Sequence, residues 1–235
     1  MAIAFTDPSA IAEASATDAT SFTTAGTAGA NNKLYLIAVI NSHASAPALP
    51  TLTHAGGLTC VEIANTLGAN FRLTIFRALK AAGVSAGTFT ADAAGATQIG
   101  WIVIVDEADG IDTSGTDGSG AIVQSASNNG SGTTATATLA AFGDATNNAA
   151  FMATALSSNI AITEEAGYTE LADLGHATPT RAGETQYKLG QDLSVTSTFT
   201  TSIWRCIASE IKAAAGAAPA AAADIPYKML RGVGL

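Results

Sequence analysis

The chain has 235 residues, of which 12% are charged, with a net charge of −9 and an isoelectric point near 4.6. Because a phosphate-binding surface requires clustered Lys and Arg, this balance argues against nucleic acid as a partner. The strongly apolar runs 33–40 and 99–108 are shorter than the roughly 20 residues that span a bilayer, and the start of the chain has no basic region typical of a secretory signal. We therefore expect a soluble chain without a membrane partner.

The first half of the chain predicts a series of short strands. Each is rich in β-branched or aromatic residues and is bounded by Gly, Asn, Pro or Ser. In one of them Leu73 and Ile75 alternate with Arg72 and Thr74, which predicts a half-buried strand. The predicted strands cover residues 21–24, 33–42, 58–66, 72–81, 87–92 and 99–108.

The second half repeats this pattern after a Gly- and Ser-rich turn. Five elements recur in one order: Asn147-Asn148 corresponds to Asn31-Asn32 at an offset of 116 residues, and Trp204 corresponds to Trp101 at an offset of 103. The three elements between them recur at offsets of 110, 113 and 110 residues. The predicted strands cover residues 121–127, 133–142, 147–158, 168–176, 185–194, 197–202 and 202–212.

The recurrence predicts two half-repeats, at about residues 20–112 and 120–212. A period of about 110 residues is too long for a solenoid. Two separate domains are one alternative, but a few short strands with so few bulky residues would bury only a thin core. We therefore favour one β-sandwich whose interior is shared by both halves. The residues predicted to be buried in it are Leu36, Ile40, Ile75, Trp101, Val103, Phe151, Trp204 and Ile207.

This order of elements resembles the duplicated jelly-roll-like β-sandwich of many tailed-phage virion proteins and some bacterial surface proteins. The resemblance covers residues from about 18 to 213, where the closing strand runs into an Ala-rich segment. It implies an all-β, jelly-roll-like sandwich over residues 18–212, preceded by an N-terminal segment, 1–17. It also implies a non-enzymatic structural protein of the virion, assembled in the host cytoplasm and attached to the head or tail. Its partners would be other virion proteins, and we expect a homo-oligomer.

Two acidic stretches invite an enzymatic interpretation. Paired carboxylates can hydrolyse glycosides or bind Ca²⁺, but the spacing in 105–112 fits no EF-hand loop. We favour a solvated loop there, with a structural cation and catalysis as the alternatives, and exposed charges in 162–173. A nucleophile elbow is absent from the sequence, so no catalytic residue and no enzyme activity are predicted. The acidic residues are Asp106, Glu107, Asp109, Asp112, Glu164, Glu165, Glu170 and Asp173.

The cysteines and histidines give no metal-ligand spacing. Cys60 and Cys206 lie in separate strand-like runs and are interpreted as buried free thiols, with a disulfide as the alternative. The three histidines are far apart in the sequence, without an H-x-x-x-H or H-E-x-x-H pattern. No metal site and no cofactor are predicted.

A glycan-binding adhesion module that recognises host surface polysaccharide is the alternative function. The loops are rich in Asn and Asp, but Trp101 and Trp204 lie in predicted closing strands, where core packing is favoured. Tyr168 and Tyr187 are the aromatic residues for which we expect more exposure.

The C-terminal region consists of two segments of different composition. Residues 213–223 contain only Ala, Gly and Pro and predict a linker, whereas residues 224–235 are apolar and carry two basic side chains. An apolar end gains by burial, so we favour a docking arm that binds a neighbouring subunit or another virion protein. Folding back onto its own domain is the alternative. The expected partner-binding residues are Ile225, Tyr227, Lys228, Met229, Leu230, Arg231, Val233 and Leu235.

Overall fold

Strands account for most of the computed structural model, which describes residues 2–6 and 11–216. Only one 3-10 turn, Ser119–Ala121, and no α-helix accompany them in this part of the chain, so the predicted all-β class is confirmed. The strands are β1 (Ala4–Thr6), β2 (Ala12–Ser15), β3 (Ser21–Thr23), β4 (Leu34–Ser42), β5 (Thr51–His54), β6 (Val61–Leu67), β7 (Phe71–Ala78), β8 (Phe89–Asp92), β9 (Gly100–Asp109), β10 (Ile122–Thr138), β11 (Ala149–Leu156), β12 (Thr163–Glu164), β13 (Thr169–Ala177), β14 (Thr180–Leu189) and β15 (Ser194–Ile211).

The strands form two six-stranded antiparallel sheets and one small sheet. The N-sheet has the order β1-β9-β4-β7-β6, and β2 also pairs with β9. The C-sheet has the order β10-β15-β11-β14-β13, and β12 also pairs with β15. The small sheet has the order β3-β8-β5. Each large sheet is therefore built from one half of the chain.

The N-sheet and the C-sheet pack face to face on a central core. One face of β4, β7 and β9 contributes Leu36, Ile75 and Ile104, and one face of β11 and β15 contributes Phe151 and Ile207. Two apolar sheet faces that meet in this way make a β-sandwich. The interior between the large sheets is thus shared by both halves, as the sequence predicts.

Each large sheet also buries its second face, which the sequence does not predict. The small sheet covers the N-sheet, so that Phe76, Trp101 and Val103 lie in a second core cluster with Phe89 of β8. Strand β7 was expected to be half-buried, and this is wrong, because Thr74 on its second face is also buried. All eight residues predicted to be buried are buried, so that prediction is confirmed.

The long strands β10 and β15 cover the second face of the C-sheet with their own distal parts. Ala135 of β10 and Val195 of β15 lie in one cluster with Met152 of β11, so both strands fold over the sheet to which they belong. The ladder between them has a register shift between Gly132 and Thr134. The pairs of strands predicted at 121–127 and 133–142, and at 197–202 and 202–212, are therefore continuous strands with a bend, since the Gly-rich segment between the first pair stays in the ladder.

The N-terminal segment belongs to the N-sheet instead of preceding the sandwich. Ala4–Thr6 pairs with Glu107–Asp109, and Ala12–Ser15 pairs with Trp101–Ile104 on the same strand. The predicted boundary at residue 18 is thus too late, because these short and partly polar strands give weak sequence signals. Residues 7–10 lie between them, outside the described residues.

Contacts between the halves are reciprocal. Strand β6, at one edge of the N-sheet, contacts β10 and β15, while β13, at the corresponding edge of the C-sheet, contacts β2 and β9. Both edge strands also have a register shift, between Glu62 and Ala64 in β6 and between Glu170 and Ala172 in β13. The pseudo-twofold repeat requires that residues 20–112 superpose on 120–212, and it stays a prediction.

Candidate functional site

A cleft of about 680 Å³ lies where the described chain ends. It is formed by segments that are distant in the sequence: the residues before β1, the β9–β10 connection, the start of β10, the β10–β11 loop and the residues after β15. Its volume lies within the roughly 300–1,000 Å³ that is typical of ligand pockets. The lining residues are Ala2, Asp112, Gly120, Val123, Gly143, Asp144, Asn147, Asn148, Lys212, Ala213, Ala214, Ala215 and Gly216.

A fully buried carboxyl group, that of Glu210, lies behind the wall of this cleft and accepts hydrogen bonds from two of its lining residues. Glu210 Oε1 accepts hydrogen bonds from Asn148 Nδ2 at 2.6 Å and from the Gly143 amide at 3.0 Å, and Glu210 Oε2 accepts one from Gln124 Nε2 at 2.7 Å. Asn148 Oδ1 in turn accepts the Ala213 amide at 3.0 Å. This network joins β10, β11 and β15, and it fixes the backbone of the cleft wall. All three groups that donate to Glu210 are neutral.

The charges at the cleft are mainly acidic. Lys212 Nζ lies 2.7 Å from Asp112 Oδ2 and lowers the pKa of that carboxyl group to about 2. Asp144 accepts hydrogen bonds from the side chain and amide of Asn147, which lower its pKa. Asp112 and Lys212 form an ion pair, so the lining has one further carboxylate, Asp144, while Glu210 lies buried behind the wall. The cleft therefore favours a basic ligand over an acidic one.

The first acidic stretch is not a solvated loop, which corrects the prediction for residues 105–112. Asp106 and Glu107 lie within β9, and Asp106 is buried. Lys33 Nζ donates a hydrogen bond to Asp109 Oδ2, which lowers the pKa of Asp109, and it lies 3.6 Å from Glu107 Oε1. Lys33 therefore neutralises charge on Glu107 and Asp109, and Lys212 pairs with Asp112. These carboxylates are the alternative cation ligands of the sequence analysis.

The second acidic stretch has a mainly structural role. Glu165 Oε2 accepts the amide of Thr196 at 2.7 Å, and Asp173 Oδ2 accepts the amide of Ile162 at 3.0 Å. Glu170 and Asp173 are exposed, as predicted, whereas Glu164 and Glu165 are partly buried.

Beside this stretch, sequence reasoning missed a buried polar cluster on β14. Glu184 is completely buried, and its Oε2 lies 3.0 Å from Ser197 Oγ. Ser197 also contacts Thr154 Oγ1 at 2.9 Å and Gln186 Nε2 at 2.7 Å. Burial raises the pKa of Glu184 to about 8, so its carboxyl group is mostly protonated at neutral pH. The alternation Glu184, Gln186 within an otherwise strand-like run was the signal available in the sequence.

Two buried arginines from the C-terminal half pack against one phenylalanine ring from the N-terminal half. The guanidinium carbons of Arg181 and Arg205 lie 5.1 and 4.9 Å from the centre of the Phe71 ring. Arg181 Nε donates to Ser42 Oγ at 2.9 Å and Nη2 donates to the Asn70 carbonyl at 3.0 Å. Burial lowers the pKa of both arginines. This cluster joins the two halves through cation–π and hydrogen-bond contacts and is closed to ligands by its burial.

The cysteines are free and shielded, and the disulfide alternative is therefore wrong. Cys206 is buried, Cys60 is partly buried, and burial raises the pKa of each thiol to about 12. Thiolate is the reactive form of cysteine, so neither residue is poised for nucleophilic chemistry.

The aromatic residues considered for glycan stacking lie inside the protein. Trp101, Trp204 and Tyr168 are buried, so the exposure expected for Tyr168 is wrong. Tyr187 is partly buried and stacks on Phe5 with a distance of 4.4 Å between ring centres. None of these four rings offers the flat exposed surface on which a sugar stacks.

The predicted partner-binding residues, Ile225 to Leu235, lie outside the described residues, as does the linker beyond Gly216. Within residues 2–6 and 11–216, no group of three or more His, Cys, Asp or Glu side chains is placed to hold a metal ion. The same part of the chain has no helix long and apolar enough to cross a membrane. Comparisons of the chain with family models, with curated proteins and with solved structures gave no match.

Proposed function

We propose that this chain is a non-enzymatic structural protein of a phage or phage-like particle. It is attached to the head or the tail, and it contacts other virion subunits through its C-terminal residues 224–235. The observation that carries this proposal is an acidic, partly apolar cleft beside residues 213–216, of which Ala213 is buried while Ala215 and Gly216 are exposed.

The composition and the architecture support the same function. The central strands of the two large sheets are buried on both faces by each other and by the layers that cover them, which makes a well-packed scaffold. The polar clusters at Glu210, Glu184 and Arg181 are saturated largely by contacts within the chain and serve the fold. A chain with only 12% charged residues and many Ala, Gly, Ser and Thr residues suits a protein that packs against neighbouring subunits.

Deletion of residues 224–235 is expected to abolish incorporation of the protein into particles or oligomers while its melting temperature stays nearly unchanged. The described strands end at Ile211, so the deletion removes none of their pairing. The measurement is co-purification with particles, together with thermal unfolding of the isolated protein.

A matched control for this deletion replaces residues 224–235 by a Gly/Ser sequence of equal length. Loss of incorporation in both variants, with unchanged melting temperature, supports a sequence-specific arm. Incorporation that survives the deletion contradicts the proposal. A large loss of melting temperature in the deleted monomer instead supports an arm that folds back onto its own domain.

The purified protein is expected to show no hydrolytic activity towards polysaccharides or esters and to need no cofactor. Of the acidic residues considered for catalysis, Asp106 is buried in β9 and Glu165 Oε2 is bonded to the Thr196 amide. The measurement is release of reducing sugar or of an acyl product. Activity above background that is lost in both Asp106→Asn and Glu165→Gln, with folding retained, would overturn the expectation.

A further inference from the structure

We infer that the cleft beside Gly216 is the receptor for residues 224–235 of a second copy of this chain. This inference rests on the proposed function and names its partner. Each copy then carries one arm and one cleft, and contacts between copies run head to tail. Such contacts close into a ring or continue along a particle surface, depending on the rotation between neighbours.

The shape and apolar character of the cleft fit a peptide segment. Val123 is 46% exposed and lies in the lining beside Ala213, Ala214 and Ala215. Gly143 adds no side chain, and a Cβ atom built on it meets no atom within 4 Å. Larger apolar side chains from a partner, such as Tyr227 and Leu230, fill a recess of this kind and gain by burial.

Charge complementarity gives the cleft a preference for this particular segment. Asp112 and Asp144 line the cleft and Glu210 lies behind its wall, against the single Lys212. The segment 224–235 carries Lys228 and Arg231 and one acidic residue, so it has a positive balance in a chain whose net charge is −9. Complementary charges of this kind select the partner and its register.

The linker is long enough to reach a second copy. Residues 213–216 form one wall of the cleft, and residues 217–223 connect this wall to the arm. When extended, these residues and the flanking bonds reach roughly 26–29 Å, which is enough to carry the arm to an adjacent subunit.

The first experiment measures binding of a synthetic peptide of residues 224–235 to protein that lacks those residues. We expect saturable binding that weakens as salt is added. Gly143→Phe in the protein fills the cleft and is expected to lower the affinity by at least about tenfold, because it removes space for an anchor side chain. Ala166→Phe, at an exposed turn away from the cleft lining, is the matched control and is expected to leave the affinity within about twofold. Absence of peptide binding, or equal binding by both variants, overturns the inference.

The second experiment separates a second copy from the same copy. Full-length protein with Val123→Cys is mixed with full-length protein with Leu230→Cys under mild oxidation, and the products are resolved by mass. A disulfide-linked dimer that forms only in the mixture supports the inference. A chain that carries both substitutions is oxidised in parallel. An internal disulfide in its monomer, without any linked dimer in the mixture, overturns the inference in favour of docking in the same copy. Wild-type protein is the control, since its two native thiols are shielded by burial.

Failure of this inference and failure of the proposed function give different results. If the arm binds another virion protein, deletion of 224–235 still abolishes incorporation into particles, but the peptide does not bind the deleted protein. If the chain is no virion component, the peptide can bind while no particle fraction contains the protein.

Discussion

Replacing Trp101 by Ala is expected to lower the free energy of unfolding by about 3–5 kcal/mol. The indole is completely buried between the N-sheet and the small sheet, among Tyr35, Val103 and Phe89. Its removal leaves a large cavity between two layers that cannot collapse freely, because both are held by strand ladders. Trp204→Ala is expected to have an effect in the same range, since the Trp204 ring packs over Gly130.

The measurement for both variants is denaturant unfolding followed by far-UV circular dichroism, because tryptophan fluorescence itself changes with the substitution. Ile203→Ala is the matched control: Ile203 is the neighbour of Trp204 on β15 and is 49% exposed. Its cost is expected to stay below about 1 kcal/mol. A Trp101 variant no less stable than this control would contradict the packing of the small sheet on the N-sheet.

Replacing Glu184 by Gln is expected to stabilise the protein at pH 8. It is also expected to make the free energy of unfolding less dependent on pH between pH 5 and pH 8. The pKa of Glu184 is about 8 in the folded protein against 4.5 for an ordinary glutamate. Between these values the unfolded chain has released a proton that the folded chain retains, so wild-type stability falls as pH rises. Since a pKa change of one is worth roughly 1.4 kcal/mol, the fall amounts to several kcal/mol and is complete above pH 8.

The quantity to measure is the difference in unfolding free energy between Glu184→Gln and wild type at several pH values. His176 acts with the opposite sign in wild type, because burial lowers its pKa and stability rises as it loses its proton. This contribution is common to both proteins and cancels in the difference. Asp18→Asn, at an exposed position between β2 and β3, is the control, because Asp18 is not among the groups that shift the pKa of Glu184. A difference that does not grow from pH 5 to pH 8 would show that Glu184 is ionised or solvated in the folded protein.

Hydrophobic patterns predicted the strands that form the large sheets but not the layers that cover them. Strands β4, β9 and β11 have long apolar runs, and their positions agree with the prediction to within a few residues. Strand β7 alternates polar and apolar residues as a half-buried strand does, yet Thr74 and Phe76 are covered by other parts of the chain. The short strands β1, β2 and β5 were missed because three or four residues carry little periodicity.

The candidate site could not be predicted from the sequence because its parts are distant along the chain. Asn148 belongs to the repeated Asn-Asn pair and Glu210 lies within the predicted last strand, and the pairing of β11 with β15 brings them to a hydrogen bond of 2.6 Å. The stretch around Asp106 looked like a loop, since four acids and a glycine are typical of one. Lys33, which neutralises two of those acids, lies more than 70 residues earlier in the sequence.

The division of the sheets between the two halves determines how this chain can fold as it is synthesised. Every strand of the N-sheet and of the small sheet is complete once β9 ends at Asp109, whereas the C-sheet needs β15, which ends at Ile211. At a translation rate of about 5–20 residues per second, the gap lasts roughly 5–20 s. During this time the nascent first half has its backbone pairing but exposes the apolar face around Leu36 and Ile75, which later packs against the C-sheet. That face is where a ribosome-associated chaperone would bind, and where premature release of the chain would lead to aggregation.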